Sequence, residues 1–250
     1  MAGRTLEYRS IGGSSSLPAI VFMHEGLGSA ALWRDYPDRL CASTQHRGIV
    51  YSRYGNGFSE TLHEARTPTY MHDEARTVLP QFLRALAIER PVLYGHSDGA
   101  SIASIFAATF PLKAAAIILE APHVMVEALS VRSIAEIGAE YREGSLRERL
   151  AKYHADVDRT FYGWNDIWLS KDFASWDISS VLPSIVAPAL CIQGTDDRYG
   201  TLAQIDSIAM RSSGSVDRII LDRCSHAPHR DYPAYVAALT SQWLNHRTNS

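Results

Sequence analysis

Pro91-Val-Leu-Tyr-Gly-His-Ser-Asp-Gly99 is the stretch whose reading decides the fold. A short apolar run ends at Gly95, and small residues follow Ser97 as Gly99, Ala100 and Ser101. This predicts a buried strand that turns abruptly into a helix, with Ser97 at the turn. A serine held at such a tip has strained backbone, so its flanks must be nearly free of side chain for the turn to close. The helix would then aim free N–H groups at the place where negative charge develops. An ordinary strand-to-helix loop with an incidental serine has the same five residues, so the decision lies in the rest of the chain.

Working outward, strand-like and helix-like runs alternate. Leu6 to Ile11 reads as an edge strand, and Pro18 to His24 as a strand buried on both faces. A short helix is expected around Ala31 to Cys41, then a strand at Gly48 to Tyr51 that empties into a glycine-punctuated loop. Met71, Ala75, Val78, Leu79, Phe82 and Leu86 recur at helical spacing, which predicts a helix from Tyr70 to Leu86 kinked at Pro80. A helix from Ala100 to Phe110 and a strand from Ala114 to Leu119 follow. The pattern resumes with a strand at Ala187 to Gln193, a helix near Leu202 to Met210, a strand at Val216 to Leu221 and a helix from Asp231 to Leu244. Such alternation predicts the α/β class: a mainly parallel central sheet with helices on both faces.

Between His123 and Ser180 the alternation stops. Three helical segments are expected there, marked by Val131 to Tyr141, by Leu150, Tyr153 and Val157, and by Phe161, Trp164, Ile167 and Trp168. The expected organisation is a core of residues 1–122 and 181–250 with a helical cap, or lid, at 123–180.

With 250 residues, 46% hydrophobic and 20% charged, the chain fits one sizeable globular domain. A net charge of -3 and no basic cluster argue against nucleic acid or an anionic membrane surface, leaving a small molecule as the expected partner. Residues 1–10 lack an apolar signal region and no later run reaches the length of a membrane span, so the expected location is cytoplasmic. Cys41, Cys191 and Cys224 form no Cys-x-x-Cys pair and read as buried thiols.

A serine hydroxyl is a poor nucleophile at neutral pH, so Ser97 needs a base and the base needs an orienting group. In a parallel sheet these belong on loops after strand C-terminal ends. Gly194-Thr-Asp-Asp-Arg198 offers Asp196 or Asp197, and Asp222 to His229 offers His226 or His229. The chain order Ser, Asp, His at consecutive strand ends favours catalysis over loop caps and surface histidines.

At this point the chain resembles the α/β-hydrolase superfamily over nearly its whole length. Gly95-His-Ser-Asp-Gly99 is similar to the nucleophile elbow, with Ser97 as nucleophile. Gly194-Thr-Asp-Asp197 resembles the Gly-x-x-Asp loop and Ser225 to Pro233 the Gly-His-x-x-x-x-Glu-x-Pro segment; the resemblance selects Asp197 as acid and His226 as base. It leaves Asp196 and His229 beside the site or on the surface. His24-Glu-Gly-Leu-Gly28 looks like the His-Gly-x-x-Gly loop, which implies an oxyanion hole of the Gly26 and Asp98 backbone N–H groups, with Leu27 if the register slips. The Asp98 carboxylate is expected in solvent or near the helix N-terminus. Ser52 to Ser59 matches a loop that normally begins with Asp. Glu25, Ser52 and Ser225 are departures, and none removes a catalytic group.

The resemblance implies a serine esterase acting through an acyl-enzyme, without metal or organic cofactor, on a small lipophilic carboxylic ester. Glu25, His123, Trp164 and Trp168 are candidate pocket residues, with Phe161 and Tyr162 also able to line it. Relatives with the same triad include thioesterases, carbon–carbon bond hydrolases of aromatic degradation and cofactor-free haloperoxidases. Epoxide hydrolases and haloalkane dehalogenases are disfavoured, since they place Asp where Ser97 stands. A non-catalytic ligand-binding or receptor protein on this fold would be marked by a missing triad member, and none is missing.

Overall fold

The computed structural model describes residues 3–248; the two residues at each end of the expected core lie outside them. Seven strands form one sheet: β1 (Tyr8–Ile11), β2 (Ile20–Met23), β3 (Gly48–Tyr51), β4 (Val92–His96), β5 (Ala116–Glu120), β6 (Ala189–Gly194) and β7 (Val216–Leu221). Their order is β1-β3-β2-β4-β5-β6-β7, with only β1 antiparallel to its neighbour. Every residue of β2, β4, β5 and β6 is buried, as continuous apolar runs require when both faces are covered.

Alternation along β2 assigns the faces. Val21 and Met23 point into one apolar cluster, with Leu79, Phe82 and Ile102. Ile20 and Phe22 point into the other, with Trp33, Leu40 and Val236. The helices of these layers are α1 (Tyr36–Thr44), α2 (Tyr70–Asp73), α3 (Leu79–Ala85) and α4 (Asp98–Thr109). Between β5 and β6 lie α5 (Ala128–Glu143), α6 (Leu146–Leu150) and α7 (Val157–Leu169). The chain closes with α8 (Ala203–Arg211), α9 (Pro228–Asp231) and α10 (Pro233–Thr248). Among the described residues no helix is long and apolar enough to cross a membrane. All three cysteines are buried free thiols.

Several ends shift by a residue or two, and four helical stretches are broken where the sequence reading has them continuous. The helix expected at Ala31 to Cys41 is a single 3-10 turn at Ala31–Trp33 followed by α1, because Pro37, with no N–H to leave unpaired, starts a new helix. The kink ahead of Pro80 is a π-turn, Glu74–Val78, joining α2 to α3; the widened turn accommodates the proline's missing donor. The segment expected around Leu150, Tyr153 and Val157 is broken, since the Asp156 carboxylate caps α7 by accepting the Arg159 N–H at 3.0 Å. The last helix is likewise divided at Tyr232, between α9 and α10.

Candidate active site

β4 ends at His96, and the next residue, Ser97, has φ 53° and ψ −117°, a left-handed conformation costly for a side chain. Its N–H is held by the Glu120 carbonyl at 2.9 Å. The flanking glycines are dictated by packing. A methyl on Gly99 would stand 2.0 Å from the Met23 carbonyl oxygen, and one on Gly95 would stand 2.3 Å from that of Gly99. The helix can therefore leave the strand tip only where both positions lack a side chain.

Asp197 follows β6 and is buried. Its two carboxylate oxygens lie 2.9 and 2.8 Å from His226 Nδ1, which donates to them. The carboxylate also accepts from Gln193 Nε2 at 2.8 Å and from the Tyr199 N–H at 2.8 Å. Burial opposes its ionisation, but His226, with the Tyr199 N–H, outweighs burial and holds it below its ordinary value. An Nδ1–H committed to Asp197 leaves Nε2 with the free lone pair that a base needs. The loops carrying Asp197 and His226 are cross-bonded, the Asp196 N–H donating to the Cys224 carbonyl at 2.9 Å. Asp231 accepts the Ser225 N–H at 2.7 Å, and His96 Nε2 donates to the His226 carbonyl at 2.7 Å. Ser97 and His226 line one cavity of about 280 Å3, with no hydrogen bond between Oγ and Nε2 in this structure. Such bonds often tighten only when substrate binds.

The loop from His24 to Gly28 crosses the same cavity. The Glu25 carbonyl accepts His24 Nδ1 at 2.6 Å, Arg53 Nη2 at 2.8 Å and the Gly28 N–H at 3.1 Å. His24 Nε2 in turn accepts the Arg53 N–H at 3.0 Å, and burial followed by the Arg53 charge keeps this histidine neutral. Asn56 Nδ2 reaches the Gly26 and Gly28 carbonyls, both at 3.1 Å. Gly26, Leu27 and Asp98 all line the cavity, and among the described residues the Gly26 and Asp98 N–H groups have no protein acceptor.

Several expectations need correction. The Asp98 carboxylate is not in solvent: it is 1% exposed, 3.7 Å from Arg53 Nη1, and accepts the Tyr70 hydroxyl at 2.7 Å. Of the two positions open to His229, beside the site or on the surface, it takes the first: it is buried, its ring 5.0 Å from that of His96 and its Nδ1 donating to Glu120 at 2.8 Å. Asp196 is exposed. Glu25, His123, Trp164 and Trp168 all line the cavity. The Glu25 carboxylate, however, is taken up by Arg230 Nη2 at 3.0 Å and stands 3.5 Å from His96 Nδ1. Phe161 stacks on Tyr141 at 3.6 Å inside the helical segment, and Tyr162 is exposed. Ser52, one of the departures from the family resemblance, has a carboxylate beside it: its hydroxyl donates to Glu7 Oε2 at 2.5 Å and accepts the Ala30 N–H at 2.8 Å.

The sequence reading passed over Arg53, Tyr70, His96, Gln193 and Arg230. Two had a local signal: Gln193 is a polar residue closing an apolar run, and His96 sits inside the elbow itself. The other three act across the fold.

The sequence model of the Alpha/beta hydrolase family matches residues 20–239. The chain belongs to the alpha/beta hydrolase family. Solved alpha/beta hydrolase-like structures superpose over almost the whole chain. MGS-M2, an alpha/beta hydrolase enzyme from a Medee basin deep-sea metagenome library, has a TM-score of 0.78 at 20% identity, covering 97% of this chain and 94% of that one. A structure from a study of carboxylesterases of Nitrososphaera gargenis has a TM-score of 0.77 at 18% identity, covering 98% and 96%. The enol-lactonase from Burkholderia xenovorans LB400 has a TM-score of 0.76 at 20% identity, covering 97% of each chain. At these identities the likeness is one of fold. No curated protein matches this alpha/beta hydrolase by sequence.

Proposed function

We propose that this alpha/beta hydrolase is a serine esterase that cleaves a small, lipophilic carboxylic ester through a Ser97 acyl-enzyme. The observation that carries the reading is the left-handed Ser97 at the tip of β4, sharing a cavity with a His226 whose Nδ1 is committed to Asp197. His226 Nε2 takes the Ser97 proton as Oγ attacks the ester carbonyl, and Asp197 stabilises the imidazolium. The Gly26 and Asp98 N–H groups hold the oxyanion, each such donor typically worth about 2.7 to 4 kcal/mol of barrier. Collapse expels the alcohol with the proton from His226. Water, deprotonated by His226, then attacks the acyl-enzyme and releases the acid and Ser97.

Residues 123–180 act in this reading as the cap that shapes the acyl pocket. Ile134, Ile137, Leu146, Leu150 and Trp168 give the cavity an apolar wall, which favours a lipophilic acyl or alcohol group. Ser97→Ala is expected to abolish hydrolysis of p-nitrophenyl butanoate while leaving circular dichroism and thermal melting unchanged. Turnover by that variant at the wild-type rate would refute the serine mechanism. Comparison of kcat/KM on short esters, acyl thioesters and vinylogous diketones sorts the esterase from thioesterase and carbon–carbon bond hydrolase readings.

A further inference from the structure

The two N–H groups proposed to hold the oxyanion come from stretches far apart in the chain, at Gly26 and at Asp98. Their spacing has to be set before substrate arrives if they are to favour the transition state. One side chain touches the supports of both. Arg53, on the loop that follows β3, is 2% exposed. Its Nη2 donates to the Glu25 carbonyl at 2.8 Å, and its Nη1 stands 3.7 Å from Asp98 Oδ2.

The first contact matters because of what it grips. The Glu25 C=O and the Gly26 N–H are two ends of one trans peptide unit, so they point in opposite directions. Whatever fixes that oxygen fixes where the Gly26 N–H aims. The same oxygen accepts His24 Nδ1 at 2.6 Å and the Gly28 N–H at 3.1 Å. Hydrogen bonds in series polarise one another, and one from a charged donor does so most, which makes the Gly26 N–H a stronger donor. The second contact acts on Asp98, whose Oδ2 also accepts the Tyr70 hydroxyl at 2.7 Å. Side chain and N–H belong here to one residue at the start of α4, so holding the carboxylate restrains the N–H.

As a stabiliser of the fold alone Arg53 is poorly placed. Its distance to Asp98 exceeds a hydrogen bond, and among the described residues its Nε makes none. Buried ion pairs with unmet hydrogen bonds seldom repay their desolvation. The reach of the fork toward two targets has a better reason in the chemistry next to them.

We propose that Arg53 is a positioning residue for the acyl transfer: its guanidinium clamps the Glu25–Gly26 peptide to Asp98 and so sets the spacing and donor strength of the oxyanion hole. The inference rests on the serine-esterase reading and adds to it a residue that does not itself line the cavity.

The test uses Arg53→Lys, which keeps the charge but cannot span both targets, and Arg53→Met, which keeps an unbranched chain without charge or donor. Rates on p-nitrophenyl butanoate are referred to sites titrated with diethyl p-nitrophenyl phosphate, so misfolded protein does not count. Per site, kcat is expected to fall about tenfold in Arg53→Lys and about a hundredfold in Arg53→Met, with KM within about threefold of wild type. Affinity for butyl trifluoromethyl ketone, whose hemiketal with Ser97 puts an oxyanion in the hole, should fall by the same factors. Fewer titrated sites with kcat per site unchanged would make Arg53 a residue of the fold only and overturn the proposal. A rise in KM at constant kcat overturns it too, as does full activity in Arg53→Lys, the variant that decides if Arg53→Met does not fold. Calorimetric titration of wild type and Ser97→Ala with the ketone separates the two readings. Equal affinity means that no hemiketal forms on Ser97, and the serine-esterase reading fails and takes the inference with it. An affinity that depends on Ser97 but is untouched by Arg53→Lys refutes the inference alone.

Discussion

Glu25 holds a charge at the edge of an apolar cavity, and its neighbours explain how. Burial raises the cost of ionising it, but Arg230 and His96 outweigh that cost and keep its carboxyl well below the usual range. Burial likewise disfavours the His96 cation, yet Glu25, aided by Glu120 and opposed by Arg230, raises His96 above its ordinary value. The rings of Trp33, His226 and His229 also face His96. The two shifts define a pH window. His96, raised in the folded state, contributes stability that is complete below 6.5 and is lost as pH rises through its folded value. Glu25, depressed in the folded state, contributes stability that is present above 4.5 and is lost as pH falls through its folded value. Glu25→Gln is therefore expected to lower the melting temperature most between 4.5 and 6.5 and less as pH rises further, with a loss of about 1 to 3 kcal/mol inside the window. Melting curves of both proteins across this range check it; a gap independent of pH would show that Glu25 and His96 are uncoupled. Since His96 also holds the His226 carbonyl, the variant's kcat should follow the same pH trend.

At the scale of elements, the site is built by a strand, a helix and three loops whose signals differ in range. The elbow was legible because its constraint is local: glycines at positions 95 and 99 are demanded by backbone atoms of β2 and α4 within a few residues of Ser97 or on the adjacent strand. Gly99→Ala forces a methyl to within 2.0 Å of the Met23 carbonyl oxygen, where rigid backbone on both sides prevents relief. Destabilisation of roughly 3 kcal/mol or more is expected by urea unfolding, and a loss under about 1 kcal/mol would mean that α4 can slide on the sheet. The strands were legible for the same kind of reason, since an apolar run of four to six residues between turn residues admits few alternatives. The pairs that finish the site left no such trace. Ser52 meets Glu7 across 45 residues, and His229 meets Glu120 across 109. A lone carboxylate or imidazole has no periodicity, so nothing in the sequence separates it from a surface residue until the fold brings its partner close. Asp98 shows the point: its sequence position leaves both solvent and a bond near the helix N-terminus open, and only the fold decides, bringing Arg53 and Tyr70 from distant parts of the chain to enclose it.

For the whole molecule, the question is how the helical segment between β5 and β6 rests on the sheet that carries Ser97. It is pinned on two sides. His154 Nε2 donates to the Leu27 carbonyl of the His24–Gly28 loop at 3.0 Å, and the Ser133 hydroxyl of α5 donates to the Arg198 carbonyl beside Asp197 at 2.6 Å. Between those pins the segment has a small apolar cluster of its own, in which Tyr141, Val157 and Phe161 meet separately from the two sheet clusters. Trp164 and Trp168, farther along α7, instead pack into the main cluster. The tip of the segment can therefore loosen without disturbing the sheet, because stability is partitioned into units that open separately. Phe161→Ala deletes a fully buried ring from the small cluster, a change that costs about 3 to 5 kcal/mol where nothing collapses to fill the space. The expected result is faster amide hydrogen exchange across α5, α6 and the first turns of α7, with protection in β4 and β5 retained. KM should rise as the pocket wall formed by Leu146 and Leu150 loses its support. Uniform loss of protection through the sheet would mean instead that the helical segment and the strands fold as one cooperative unit, and that the wall over Ser97 is not separable from the frame beneath it.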